Sequence, residues 1–382
     1  MPVTTSNIQT LLLNNDYPES AFDIQKQFSG KDLILYGAGE SSHWFVEVVM
    51  KQYGFTPSLV LDRCFSSSDN TFEDIPAYHP EQFVPSRTQL AESVVIICSG
   101  RREIVKEICQ QLSFLGYKNL LPLHDIYEIH TPCFQPSELI NDGASYFSNQ
   151  QKEILEAFEL LEDQESRDVF FTYLKTHIER RPVEIPRRPR EEQYFPTDIK
   201  LQKGYSSFVS CGAYDGDTVR QLNQQYGKVS ELVCFEADPL IFQRLATYLG
   251  SVKSTLAEHV TALPCAVYSH EEVINFTEAT GLGSRISHDG TLKVQAVALD
   301  NILPAFSPTM ITMDNEGVEL QALQGAEKTI RSNVPDLGIC VYHAPNQVWE
   351  VPLYLNSLGL GYKFYLRNYT SFALETVLYA ST

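Results

Sequence analysis

Several features are scarce or missing from this 382-residue chain, and each absence removes a class of protein. Its eight cysteines (Cys64, Cys98, Cys109, Cys133, Cys211, Cys234, Cys265, Cys340) form no C-x-x-C pair. That spacing argues against a zinc site and a disulfide framework, and favours a reduced, cytoplasmic protein. Positive charge is in deficit. Twenty-nine Lys and Arg face 48 Asp and Glu, a net charge of −19, so neither nucleic acid nor an anionic lipid surface is an expected partner. The start "MPVTTSNIQTLLLNNDYPES" has no basic, apolar and small-residue pattern of a secretory signal. No run of about 18 apolar residues predicts a membrane span. Solenoid repeats and low-complexity tracts are absent too.

What remains is ordinary globular composition, 43% hydrophobic and 20% charged, over a length that suggests more than one core. Residues 6–29 read as polar helix. From Lys31 to about residue 129 the short apolar runs "DLILYGAG", "PSLVLD", "SVVIICSG" and "NLLPL" alternate with helical or loop segments, which predicts a small parallel sheet with helices on its faces. Residues 152–181 carry Leu155, Phe158, Leu161, Val169, Phe170, Tyr173 and Leu174 at helical spacing, so one or two amphipathic helices are expected. Next comes "RRPVEIPRRPREEQYFP". Pro182, Pro186 and Pro189 preclude a regular helix there, and the arginines make it the one basic stretch. It is either a solvated linker or an arm over an anionic ligand or over the acidic region that follows. From Ser206 the α/β texture resumes, and its last two strands lie close together, which favours an antiparallel end to a mostly parallel sheet. The expected division is a helical segment at 1–30, a small Rossmann-like α/β domain at 31–130, a helical and Pro/Arg-rich linker at 131–200, and a larger α/β domain at 201–382.

The richest stretch is "FVSCGAYDGDTVRQL". Gly212 and Gly216 mark a tight turn between a strand and a helix, where small residues let the backbone approach a ligand. Twenty residues after Gly216 the strand "ELVCFE" ends in Glu236, placed to hold a ribose diol. Asp238 and Pro239 read as a cap and first residue of the next helix. Asp215 and Asp217 occupy the turn itself. Two carboxylates would repel a pyrophosphate, which helix N-termini otherwise favour. They suit the sulfonium and ammonium of S-adenosylmethionine.

Residues 193–382 resemble the FkbM-type methyltransferases, a branch of the S-adenosylmethionine-dependent enzymes. The resemblance is carried in order by "QYF", "CGAYDGDT", "FEADP", "MDNEGVE", "LQGAEKTI", "CVYHAPNQVWEVPLYL" and "LRNYT…ETVLYA". It implies a Rossmann-like domain with a mostly parallel seven-stranded sheet, S-adenosyl-L-methionine as cofactor, and O-methylation of a sugar, glycan or glycosylated metabolite. It places Ser210, Gly212, Ala213, Asp215, Gly216, Asp217, Glu236, Ala237, Ala266 and Asp314 at the cofactor. Three positions depart from the family pattern: Ser210 and Thr312 stand where Asp and Lys are usual, and Asn315 where Ile is usual. The departures bear on rate and acceptor range.

The strand "MITMD" ends at Asp314, and ligands of open α/β sheets sit beyond strand carboxyl ends. Asp314 and Glu316 are therefore candidate catalytic groups. His343, ending "GICVYH", is a candidate general base. Arg285, Glu319 and Tyr342 are candidate substrate contacts, although Glu319 at a helix start could equally serve the helix dipole. A metal on Asp314, Glu316 and His343 can be drawn, but ligand types alone assign none. The earlier turn "YGAGESS" has Gly37 and Gly39, with Ser42 at the third glycine position. Asp62 ends the next strand where a ribose contact would lie, and Glu40 is unfavourable for a phosphate. Arg101 and Arg102 could hold an anion at a helix start. A binding protein for a nucleotide-sugar or adenosyl ligand, and an NAD-linked oxidoreductase using this turn, are the alternatives. The chain leaves a homo-oligomer open.

Overall fold

The computed structural model of the protein describes residues 2–13, 24–66, 70–99, 102–126, 145–277, 285–286, 292–370 and 373–382. The first sheet contains β1 (Leu33–Tyr36), β2 (Leu59–Leu61), β3 (Asn70–Phe72), β4 (Ile75–Tyr78), β5 (Val94–Ile97) and β6 (Asn119–Pro122). Its order is β3-β4-β2-β1-β5-β6, parallel except for β3. The four apolar runs predicted as strands are β1, β2, β5 and β6. The β3–β4 hairpin was not expected, because Glu73 and Asp74 make its left-handed turn (φ 51° and 61°) without the glycine that normally announces one.

The second half begins with β7 (Ser207–Cys211), β8 (Val229–Phe235) and β9 (Ala257–Leu263). The run "HVTALPCAV" is broken at Pro264, which has no N–H to donate. Its remainder starts a separate four-stranded sheet of β10 (Ala266–Val267), β11 (Glu272–Thr277), β12 (Arg285–Ile286) and β13 (Leu292–Val297), ordered β10-β13-β11-β12. The chain then returns with β14 (Met310–Met313), β15 (Asp336–Cys340), β16 (Lys363–Asn368) and β17 (Thr376–Ser381). The central sheet reads β16-β17-β15-β14-β7-β8-β9. It is parallel except for β17, which runs antiparallel to both neighbours.

Both faces of this sheet are covered, and the two-residue period of each strand divides its side chains between two cores. Val209, Val233, Ile311 and Leu337 enter one core, and Phe208, Leu232 and Met310 the other. The first core also takes Phe158, Phe170 and Tyr173 from the helices Gln151–Glu159 and Gln164–Ile178. It takes Ile8, Leu11 and Leu12 from the helix Thr5–Leu13 as well, so that N-terminal helix packs with the second half of the chain. Of the polar helix expected over 6–29, residues 14–23 lie outside the described residues.

Residues 180–199 hold one short 3-10 turn (Arg190–Glu192) and otherwise run as an irregular arm, partly exposed, that meets acidic residues. Arg188 donates to Asn368 through its backbone (2.8 Å), and its guanidinium binds Glu165 (2.6 and 2.7 Å) and Asp198 (2.9 Å). Among the described residues, no helix is long and apolar enough to cross a membrane.

Candidate active site

From β7 the chain moves outward to β8 and β9, then crosses back to place β14 on the other side of β7. This reversal opens a crevice beyond the strand ends, the position at which open α/β sheets bind ligands. In the register of β7 and β14, Ser210 faces Thr312 and Cys211 faces Met313. The next residues, Gly212 and Asp314, therefore meet at the crevice floor. Gly212 has φ +79°, and a Cβ there would stand 2.0 Å from the Asp314 carbonyl oxygen. Gly212→Ala combines a disfavoured backbone with a clash against main chain. We expect it to cost about 3 kcal/mol or more of stability, read from urea denaturation. A loss under about 1 kcal/mol would refute the close approach.

The glycine turn is tied to the end of β8. Gly212 and Ala213 N–H groups donate to the Phe235 carbonyl (3.0 and 2.8 Å). The Glu236 carboxylate accepts from Tyr214 N–H and from Asp238 N–H, each at 2.8 Å. Glu236 is 8% exposed, and burial pushes its carboxyl up to about 7 against the pull of those N–H groups. Each of its oxygens keeps a lone pair for a ligand hydroxyl. Asp238 caps the helix Pro239–Leu256 as expected, accepting from Leu240 and Ile241 N–H.

The two turn aspartates are not equivalent. Asp215 is bound by Arg220, whose guanidinium also lies 4.9 Å from the Tyr248 ring centre, so its charge is partly spent locally. Asp217 is exposed at the start of the helix Asp217–Tyr226 and accepts from Thr218 N–H (2.7 Å).

On the other side of the crevice the ends of β14 and β15 bring Asp314, Glu316, Glu319 and His343 together. Glu319 opens the helix Glu319–Gln324 and is fully buried. Its carboxylate accepts from Asn315 N–H (2.9 Å), Gly317 N–H (3.3 Å), His343 Nδ1 (2.8 Å) and the Gln347 amide. His343 is 1% exposed, and its Nε2 faces Asp314 Oδ1 at 3.3 Å and Glu316 Oε2 at 3.6 Å. Those two carboxylate side chains keep 30% and 33% of their surface open. Burial opposes a charge on His343, but Glu319, Glu316 and Asp314 together carry the imidazole up to about 10. Desolvation raises Asp314 to about 6 and Glu316 to about 8, against the pull of His343. Burial works against the Glu319 charge too, yet His343 holds that carboxyl below its ordinary range.

Two tyrosines bracket Asp314. Tyr342 donates to Oδ1 and Tyr194 to Oδ2, each at 3.3 Å. Tyr194 comes from the arm and is buried, with its N–H on the Tyr379 hydroxyl (2.8 Å). Beside it Gln193 reaches Glu375 (2.6 Å). Four non-glycine residues around this crevice hold a left-handed backbone: Tyr194 (φ 65°), Tyr214 (47°), Glu316 (52°) and Glu375 (58°). Such strain costs about 1–3 kcal/mol per residue and clusters where a site dictates geometry.

The structure therefore gathers Gly212, Ala213, Glu236, Asp314, Glu316, Glu319, Tyr342 and His343 around one crevice. Ser210 is buried within β7. Ala237 packs with Ala266 beside the four-stranded sheet. Arg285 is placed through its backbone alone, paired with Thr277, and residues 281–284 and 287 of its loop lie outside the described residues. The sequence reading missed Tyr194, Gln193, Gln347 and Glu375. "QYF" carried the only signal for the first two, and its distance from the glycine turn hid their place.

The earlier turn is closed by its own residues. The Asp62 carboxylate accepts from Ala38 N–H (2.8 Å) and Cys64 N–H (2.8 Å), and Ser42 donates to the Gly37 carbonyl (2.7 Å). At Gly37 (φ +115°) a Cβ would lie 2.6 Å from the Cys98 carbonyl oxygen, so that glycine is explained by packing. Arg101 lies outside the described residues, as does the side chain of Arg102.

Residues 210–364 match the family model of the methyltransferase FkbM domain. The crystal structure of methyltransferase FkbM from Methylobacillus flagellatus KT is similar along nearly the whole length. Its TM-score is 0.66 at 19% identity, covering 98% of this chain and 97% of that one. Fibrillarin from Aeropyrum pernix, solved with natively bound S-adenosyl-L-methionine, matches at a TM-score of 0.32 and 12% identity, over 48% of this chain and 69% of that one. No curated protein matches the chain.

Proposed function

The chain is a methyltransferase carrying an FkbM domain over residues 210–364, and from that premise we propose that it transfers methyl groups from S-adenosyl-L-methionine to a hydroxyl oxygen of a sugar, glycan or glycosylated metabolite. The observation that carries this reading is the charge of the crevice. Glu236, Asp217, Asp314 and Glu316 surround the space above Gly212, a setting that repels a pyrophosphate and suits a cation. When bound, the cofactor supplies an electrophilic methyl on a sulfonium. Glu236 accepts from the ribose hydroxyls, and the turn at Gly212 lets main chain approach the ligand.

The acceptor needs its proton removed as the oxygen–carbon bond forms and the sulfur–carbon bond breaks. His343 is the wrong group for that step. It is enclosed on all sides, and its neighbours already hold it protonated at neutral pH. Asp314, open to the crevice and raised only to about 6, takes the proton, while Glu316 lines the same face and His343 and Glu319 fix their positions. Glu319, first considered as a substrate contact, has no surface to offer one. The first glycine turn serves packing, within an N-terminal α/β unit read here as an accessory domain.

Formation of S-adenosylhomocysteine over a panel of glycosyl acceptors tests the reaction, and absence of product with every hydroxyl acceptor would overturn the O-methyl assignment. Glu236→Ala tests the cofactor site separately. Its affinity for S-adenosylhomocysteine should fall by about 1.5–3 kcal/mol, the range for a hydrogen bond to a charged group. In the parent protein that affinity should rise between pH 6 and pH 8. The ribose hydroxyls donate best to ionised Glu236, whose folded value is about 7, so ligand binding favours the deprotonated form. A titration by calorimetry that is flat across this range would remove Glu236 from the ribose.

A further inference from the structure

We propose that Tyr194 is a positioning residue for Asp314: its phenol hydroxyl holds one carboxylate oxygen of Asp314 and keeps that group in the ionised form that can accept a proton. Tyr194 sits on the arm, ahead of the matched domain at 210–364, and three features of the structure place it. Its backbone is left-handed (φ 65°), a conformation that bulky residues avoid. Both of its main-chain groups are fixed by tyrosine hydroxyls: the N–H donates to Tyr379 (2.8 Å), and the carbonyl accepts from Tyr205 (3.1 Å). The ring then enters a slot in β15. Gly338, in the middle of that strand, pairs with Thr312 on one side and Tyr379 on the other. A Cβ on Gly338 would lie 3.2 Å from Tyr194 Cδ1 and 3.1 Å from Met310 Cε, so the missing side chain is the room that the ring uses.

At the far end of the slot the hydroxyl lies 3.3 Å from Asp314 Oδ2 and 3.0 Å from Cys340 Sγ. Burial holds both the phenol and the thiol protonated. A phenol has one hydrogen to give and an ionised carboxylate has none. The order is therefore fixed: the thiol donates to the phenol, and the phenol to Asp314. Phenylalanine would fill the slot as well, so apolar packing accounts for the ring but not for the hydroxyl. Asp314 is faced by His343, Glu319 and Glu316, by Glu375 just before β17, by Asp217 across the crevice, and by Tyr342 on Oδ1. Burial raises its carboxyl to about 6 against the pull of His343, and Glu375, Glu319 and Asp217 add to the rise. A hydroxyl that donates to the charged form acts on the same side as His343, so Asp314 is still ionised when an acceptor arrives at neutral pH. That Asp314 serves as the proton acceptor rests on the methyl-transfer reading. The hold of Tyr194 upon it does not.

The test uses the full chain without ligand, its aspartate carboxyl carbons labelled with 13C and followed by NMR across pH. The Asp314 resonance is the one lost in Asp314→Asn. In the parent it should titrate near pH 6. Tyr194→Phe keeps the ring in its slot and removes only the hydroxyl. The Asp314 midpoint should then move up by about one pH unit, the order expected for one hydrogen bond to a charged group. Placing 3-fluorotyrosine at position 194, a stronger donor of nearly the same shape, should move the midpoint down and leaves the slot filled even if the phenylalanine variant is unstable. Tyr354→Phe takes a comparable hydroxyl from Glu327 (3.1 Å) outside the crevice and should leave Asp314 unmoved. Opposite displacements in the two Tyr194 proteins support the proposal, because lost packing would not reverse sign. A midpoint equal to the parent's in both overturns it and leaves the ring as filling for the slot. In methyl transfer the rise of rate with pH should follow the same midpoints, with affinity for S-adenosylhomocysteine within a few-fold of the parent. Midpoints that move in a chain that methylates no acceptor sink the reaction and leave the hold of Tyr194 on Asp314 standing.

Discussion

Asp314→Asn is expected to lower methyl transfer by about 10²–10⁴-fold, the range for loss of a positioned proton acceptor, while affinity for S-adenosylhomocysteine stays within a few-fold of the parent. Asparagine keeps the shape of the side chain and can still meet the tyrosine hydroxyls at its carbonyl oxygen. It cannot take a proton. The fold should not suffer. Asp314 is one of three carboxylates facing a single imidazole, and removing one of three like charges relieves repulsion. The thermal midpoint at pH 7 should therefore be equal to that of the parent or higher, the usual trade between stability and function at a strained site. Initial rates and melting curves on the same preparation check both halves. A variant that turns over at the parent rate would remove Asp314 from the chemistry. One that is inactive only because it unfolds would contradict the account of repulsion.

The parts of this site that were legible in the sequence are those set by local rules. Gly212 and Gly216 announce a turn because main chain must pass where a Cβ does not fit. Glu236 and Asp314 announce themselves by ending apolar strands. The two-residue alternation of Phe208 and Val209, or of Met310 and Ile311, is what a sheet buried on both faces requires. Legibility fails where placement depends on partners far away in the chain. Asp215 looked like a cofactor contact, yet Arg220 one helical turn on engages it. His343 reads as a candidate base, and its burial against Glu319 is set by residues 24 positions apart. Asp62 looked like a ribose contact until the turn's own N–H groups occupied it. Tyr194 lies 120 residues from Asp314 in sequence, and no periodicity joins them. The arm that carries it is irregular, so its course is dictated by a charged network whose members are scattered over 163–367.

That network makes Arg367 the position with the largest expected effect on stability. Its guanidinium is 2% exposed and binds two separate segments. Asp163, the cap of the helix Gln164–Ile178, takes bonds of 2.6 and 3.2 Å. Ser166 of that helix takes one of 2.9 Å. Asp198 of the arm takes two, at 2.7 and 2.9 Å. Replacing Arg367 by Met preserves most of the buried length but, among the described residues, leaves Asp163 only the Ser166 N–H and Asp198 only Arg188. Breaking a buried pair on one side costs about 3–5 kcal/mol, more than the intact pair contributes over an apolar substitute. Lysine should rescue little, because one ammonium cannot reproduce the guanidinium fork. Arg188, which binds Glu165 and Asp198 at 29% exposure, should lose about 1 kcal/mol or less as Ala. The sign with pH follows from Asp163. Burial raises its carboxyl, but Arg367 and the Ser166 N–H hold it below its ordinary 3.8. Its share of stability is therefore present above about pH 4 and is lost as pH falls through the lower folded value. Arg367→Met should accordingly lose most of its deficit in strong acid. Urea midpoints at pH 7 and pH 3 measure this. Because the arm also carries Gln193 and Tyr194 to the crevice, the same variant should turn over more slowly at temperatures where it is still folded. If Arg367→Met is as stable as the parent at pH 7, the arm is held by its apolar contacts, and the charged network only decorates it.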